Sequence, residues 1–182
     1  IFKTLDGNKF HLHFLMDHYS KMILGYKSEN SSSGKAIRDL ISESYTKLKP
    51  NKVQFLSDSG TENVNTMVSH FLNSVEKPIQ HLIAQKTVAF SNSMIEAFNK
   101  TLKHQFLYPK HPNSKKQLEI LVQESVEIYN HQKPQMSLGG NTPKETFYGK
   151  TIEFSFYTKN FHAQKVVRIE QNKKTNCVKC NE

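Results

Sequence analysis

Two periods of apolar residues run along this chain, and the switch between them marks out strands and helices. Phe10, Leu12, Phe14 and Met16 alternate with His11, His13, Leu15 and Asp17, the period of a strand with two unlike faces. Residues 1–4 read as the end of a preceding strand, and Asp6-Gly7 is a hairpin signal of the kind that needs positive φ. Residues 22–26 read as a third, antiparallel strand, turned by residues 18–21. The period then becomes helical. Ile37, Leu40, Ile41, Ser44, Tyr45 and Leu48 recur at helix spacing, and Pro50 stops the run. Residues 52–57, with Val53 and Phe55, give a short strand; Met67, Phe71, Leu72 and Val75 mark a short helix, and residues 79–83 a further strand.

The stretch 91–103 starts a helix with two distinct faces. Ile95, Phe98, Leu102 and Phe106 form an apolar side, while Glu96, Asn99, Lys100 and Lys103 share a separate polar side. That polar side admits two readings: a solvated face with a Glu96–Lys100 pair, or a metal ion at Glu96 with the lysines laid along a phosphate backbone. Asp58 favours the second. It stands at the carboxyl end of a strand, where open α/β sheets bind their ligands, and residues 84–92 form a loop ahead of the Glu96 helix. Residues 114–131 make another helix, with Ser114 and Gln117 as a capping box and Lys115 and Lys116 in the first turn. Cations there oppose the helix dipole and are eased by a nearby phosphate. Beyond Gly139-Gly140 and Pro143 the chain is turn-rich, with residues 154–157 and 165–169 expected as short strands.

Composition narrows the partner. The chain has 182 residues, 36% hydrophobic and 23% charged, which suits one soluble domain and a tail. A formal charge of +9 and a pI near 9.4 point to an acidic polymer, nucleic acid rather than membrane, because no long apolar run is present. Cys177 and Cys180, with no apolar secretory segment, indicate a reducing compartment, the cytoplasm. Their C-x-x-C spacing is half a zinc site at most. His11 and His13 share a strand face but lack a third ligand nearby.

Four pieces in order resemble one family. They are residues 16–21 at a strand junction, Leu56-Ser57-Asp58-Ser59-Gly60-Thr61-Glu62-Asn63, the run 92–103 around Glu96, and Tyr129-Asn130-His131 with residues 137–145. Together they resemble the catalytic core of retroviral integrases and insertion-sequence transposases. The resemblance covers residues 1 to 150 and leaves 151–182 as an extension and basic tail. It implies a ribonuclease-H-like α/β fold, a mixed central sheet of about five strands flanked by helices, with the first strand incomplete. It also implies DNA cleavage and strand transfer with two Mg²⁺ (or Mn²⁺) ions, Asp58 and Glu96 as catalytic metal ligands, and a homo-oligomer acting on transposon-end and target DNA. Asn99, Lys100 and Lys103 then contact DNA, with Lys115 and Lys116 as further phosphate contacts, and residues 84–92 close over the substrate.

In that family a first aspartate lies on the first strand, ahead of the Asp6-Gly7 turn, which places it before Ile1. The expectation is therefore a core that is inactive alone, from a parent transposase, with Asp17 the candidate substitute. Two rivals remain. A ribonuclease-H-type nuclease would share the fold and ions, and a non-catalytic DNA-binding or assembly module would need neither carboxylate.

Overall fold

Backbone hydrogen bonds follow the two-residue period closely. The computed structural model describes residues 1–84, 93–152 and 154–175. Strand β1 (Phe2–Lys3) pairs antiparallel with β2 (Lys9–Met16), Phe2 opposite Phe10, across a turn in which Gly7 takes φ +87°. β3 (Ile23–Glu29) pairs with β2 from His11 opposite Glu29 to Leu15 opposite Gly25, and the register shifts between Leu15 and Met16. The expected alternation holds. Phe10 is buried and Leu12, Phe14 and Met16 pack against the same core, whereas Gly25 lies against the other layer, where an added Cβ would meet Leu40 Cδ1 at 2.8 Å.

Helix α1 (Gly34–Leu48) supplies that Leu40; it starts on the Ser33 side chain, which accepts from Ala36 N–H, and ends at Lys49, in the left-handed region just before Pro50. β4 (Gln54–Ser57) and β5 (Gln80–Ile83) are parallel, and the crossover between them carries α2 (Thr66–Ser74), as parallel neighbours require. The five strands pair in three ladders and fall in two sheets, an antiparallel β1-β2-β3 and a parallel β4-β5. The helices pack in two clusters. Ile37, Ile41, Val68, Leu72 and Ile79 close one, beside Phe55 of β4. The other joins β1–β3 to α3 (Ser93–Thr101), the π-helical turn Leu102–Leu107 and α4 (Lys115–His131).

Several expectations are corrected here. The apolar side of the Glu96 helix continues from Leu102 to Leu107 rather than to Phe106: Leu107 is fully buried and Phe106 only half-buried. The π turn inserts one residue, so the next buried position falls five residues on rather than four. At α4, Ser114 accepts from Gln117 N–H, but Gln117 Oε1 accepts from Asn113 N–H, one residue before the position that a capping box uses. The segment after Gly140 contains α5 (Pro143–Phe147), with a complete capping box between Thr142 and Glu145. Residues 154–157 and 165–169 are not strands; both lie in α6 (Phe154–Thr175). Val166, Val167 and Ile169 favour strands locally, but a strand needs a neighbouring ladder, while a helix free of Pro and Gly satisfies its own backbone.

Contacts group Ile1–Gly149 into one compact unit and assign α6 to a second, Lys150–Glu182. Among the described residues no helix is long and apolar enough to cross a membrane.

Candidate functional site

Asp58 follows the last residue of β4, and its turn is held by polar contacts. Gly60 N–H donates to Asp58 Oδ1 at 3.0 Å and Asn63 Nδ2 donates to the same oxygen at 2.7 Å. The second oxygen, Oδ2, has no partner among the described residues. A Cβ at Gly60 would meet Glu62 Oε2 at 2.8 Å and Asp58 Oδ1 at 3.0 Å, so a larger residue would push these carboxylate ends aside. The Asp58 and Glu62 carboxylates thus flank one glycine. Behind them, the buried Ser57 hydroxyl donates to the Asp58 carbonyl at 2.9 Å and lies 2.8 Å from His81 Nε2.

Glu96 occupies the first turn of α3, and apolar packing sets its position. Phe98, two residues on, is buried between Phe14 of β2 and Tyr129 of α4, in edge-on contacts with ring centroids 4.9 and 4.7 Å apart. Anchoring Phe98 inward leaves Glu96 and Lys100 exposed, while Asn99 and Lys103 are half-buried. The Glu96–Lys100 pair is not made; among the described residues Glu96 has no ion pair or hydrogen bond. Lys103 lies near Ile1, at the start of β1.

The α4 lysines differ from each other. Lys115 forms an i,i+4 ion pair with Glu119 at 3.7 Å, whereas Lys116 is exposed and makes no ion pair among the described residues. Asp17 is committed to its turn: Ser20 N–H and Oγ both donate to Oδ2, at 2.7 and 2.6 Å. Asp6 is likewise bonded within the first hairpin, to Thr4 and Asn8, and these bonds lower its pKa. His11 and His13 stack with ring centroids 6.3 Å apart, and His13 Nε2 is buried without a partner. Burial pushes His13 down, against a smaller opposing effect of the Glu62 charge. Among the described residues no group of three or more His, Cys, Asp or Glu side chains could hold a metal ion. Residues 85–92, which hold most of the expected closing loop, and Cys177 and Cys180 lie outside the described residues.

Sequence reasoning missed the supporting residues. Ser57 and His81 are brought together only by strand register: β4 and β5 pair Phe55 with His81 and Ser57 with Ile83, so His81 shares a face with Ser57. Asn63 carried a signal that went unread, five residues after the aspartate and beyond a glycine turn. Asn130, quoted above only as part of a motif, is buried and pairs with the strand backbone: Ile23 N–H donates to its Oδ1 and its Nδ2 donates to Ile23 O, each at 2.9 Å.

Residues 77–143 match the family described as integrase core domain. The chain is 24% identical over 143 residues to the putative transposase InsK for insertion sequence element IS150 of Escherichia coli, covering 78% of this chain and 50% of that protein. It is 28% identical over 142 residues to an uncharacterized transposase-like protein of Haemophilus influenzae, covering 78% of this chain and 64% of that one. The chain therefore spans half of one curated relative and under two thirds of the other. In three dimensions it matches the HTLV-2 integrase catalytic core domain in complex with magnesium (trimeric form) with a TM-score of 0.60 at 15% identity, over 79% of this chain and 88% of that chain.

Proposed function

We propose that this chain, which carries an integrase core domain of ribonuclease-H-like fold related to insertion-sequence transposases, is the catalytic core of a DNA transposase, with Asp58 and Glu96 as its metal-binding carboxylates. The observation that carries this reading is the contrast between the two acids and their neighbours. Asp6 spends both oxygens on its hairpin and Asp17, like Asp58, has one oxygen taken by its turn, but Asp58 stands at the carboxyl end of a parallel strand with Oδ2 unbonded, and the whole Glu96 carboxylate has no partner among the described residues.

The donor set fits a hard divalent ion. Mg²⁺ keeps several waters and takes one or two protein carboxylates together with substrate phosphate oxygens, so two carboxylates that each keep an unbonded oxygen suit it better than a softer metal. A bound pair of such ions would stabilise the attacking and leaving oxygens of an in-line phosphoryl transfer. The two-ion site of the family takes a further carboxylate from the first strand, upstream of the Gly7 turn.

The chain's own residues then have separable duties. Gly60 and Asn63 fix one Asp58 oxygen and leave the other outward. Phe98 fixes the helix turn that presents Glu96. Lys100, Lys103 and Lys116, with Asn99 beside them and Lys115 shared with Glu119, bind the phosphate backbone, giving affinity that falls with salt and carries little sequence information. The reaction is hydrolysis of one phosphodiester to free a 3′-hydroxyl, which attacks a target phosphodiester; one P–O bond forms as the target's P–O3′ bond breaks. We also propose that the working form is a homo-oligomer on transposon-end and target DNA.

The test is Mg²⁺- or Mn²⁺-dependent strand transfer on an element-end duplex, using this chain and a version extended upstream of Ile1 in its reading frame. The expected result is joined product from the extended form, lost in Asp58→Ala and Glu96→Ala. Cleavage without joining would favour a ribonuclease-H-type nuclease. A folded, DNA-binding protein with neither activity in either form would favour a non-catalytic module.

A further inference from the structure

The proton count around Ser57 assigns a role to a residue from the neighbouring strand. A serine hydroxyl has one hydrogen to donate. With Ser57 Oγ donating to the Asp58 carbonyl oxygen at 2.9 Å, its 2.8 Å contact with His81 Nε2 is completed by the tautomer that carries the proton on Nε2, Nε2–H donating to Oγ. A single-file chain of hydrogen bonds results: His81 to Ser57 to the backbone of Asp58. Ser57 is buried, which shields both bonds from water, and the β4–β5 pairing fixes the separation of the two strands. The imidazole is itself wedged in place by Phe55, with ring centroids 5.0 Å apart. Burial also lowers its pKa, in keeping with a neutral ring.

We propose that His81 is a positioning residue for Asp58: acting through Ser57, it fixes the backbone turn from which the carboxylate is presented. Asp58 is thereby clamped from two sides. Gly60 and Asn63 hold its side chain, and His81 holds its main chain from another strand. This rests on the reading of Asp58 as a metal ligand, where such outer partners commonly govern affinity.

The experiment follows the Gly60 amide, whose N–H donates to Asp58 Oδ1, by NMR in the full chain. Its solvent exchange reports the turn, and its broadening by added Mn²⁺ reports metal at Asp58. In His81→Phe, which keeps a ring beside Phe55 but removes the donor, Gly60 exchange should quicken and the Mn²⁺ concentration for half-broadening should rise about tenfold. His81→Gln should restore both, because an amide N–H can replace Nε2–H. Ser57→Ala removes the same link and decides the matter should His81→Phe fail to fold. Unchanged exchange in His81→Phe, or a His81→Gln that behaves like it, would overturn the proposal even if both melt at lower temperature. If Mn²⁺ fails to broaden Gly60 both in the unsubstituted chain and in the form extended upstream of Ile1, the metal role of Asp58 falls, and the exchange rates alone still decide the role of His81.

Discussion

Asp58 and Glu96 are held by opposite means. Asp58 ends a four-residue strand and owes its placement to hydrogen bonds from Gly60, Asn63 and, through Ser57, His81. Glu96 makes no such bond among the described residues and owes its placement to Phe98, buried two residues along the helix. The difference teaches where each site will break. A polar web is directional and local, so its loss moves one turn, whereas a packed aromatic is non-directional and supports a whole layer.

The largest expected effect therefore comes from the packed aromatic behind Glu96 rather than from either carboxylate. Phe98→Ala removes a ring packed on both Phe14 and Tyr129 and should cost about 3–5 kcal/mol in unfolding free energy, measured by urea denaturation. Next is Asn130→Ala, which leaves the Ile23 N–H and C=O without their buried partner, at about 1–3 kcal/mol. Asp58→Ala releases the Gly60 and Asn63 donors at an exposed turn and should cost about 1 kcal/mol. Glu96→Ala should stay within about 0.5 kcal/mol of the original, because nothing is bonded to it. An equal cost for the two acids would erase the contrast. Smallest of all should be Lys100→Gln or Lys103→Gln, which leave folding unchanged and each reduce the salt slope of DNA binding by about 1.

Acidity sharpens the same comparison, through the unused Nε2 of His13. Burial holds His13 below its ordinary value of 6.5, so the folded protein binds fewer protons there than the unfolded chain. Its contribution is complete above that value and drains as the pH falls below it; His81 acts in the same direction. Melting temperature should therefore fall between pH 7.5 and pH 5.5, and His13→Leu should flatten part of that fall. Asp6, whose pKa is lowered by its hairpin bonds, adds a loss only in the more acidic range below the ordinary carboxylate value.

Much of this was legible in the sequence because it depended on period. The alternation from Phe10 to Met16 and the helical spacing from Ile37 to Leu48 predict the elements found there, and the polar side of α3 emerges with Glu96 and Lys100 outward. What escaped depended on geometry that period does not encode. The π turn shifts burial from Phe106 to Leu107, and the Ser57–His81 contact exists only once β4 and β5 are in register. The two expected strands within α6 failed for a further reason: β-branched residues state a preference, and a ladder partner decides whether it is met.

The central claim is that Asp58 and Glu96 serve one metal centre. Its most direct test replaces Mg²⁺ with Fe²⁺ on the DNA-bound form extended upstream of Ile1, adds ascorbate and peroxide, and maps where locally generated radicals cut the polypeptide. The account predicts cuts at both the Asp58 turn and the first turn of α3, suppressed together by excess Mg²⁺ and by either alanine substitution. Cuts at one of the two segments alone, or cuts at both that Asp58→Ala leaves intact at Glu96, would contradict it.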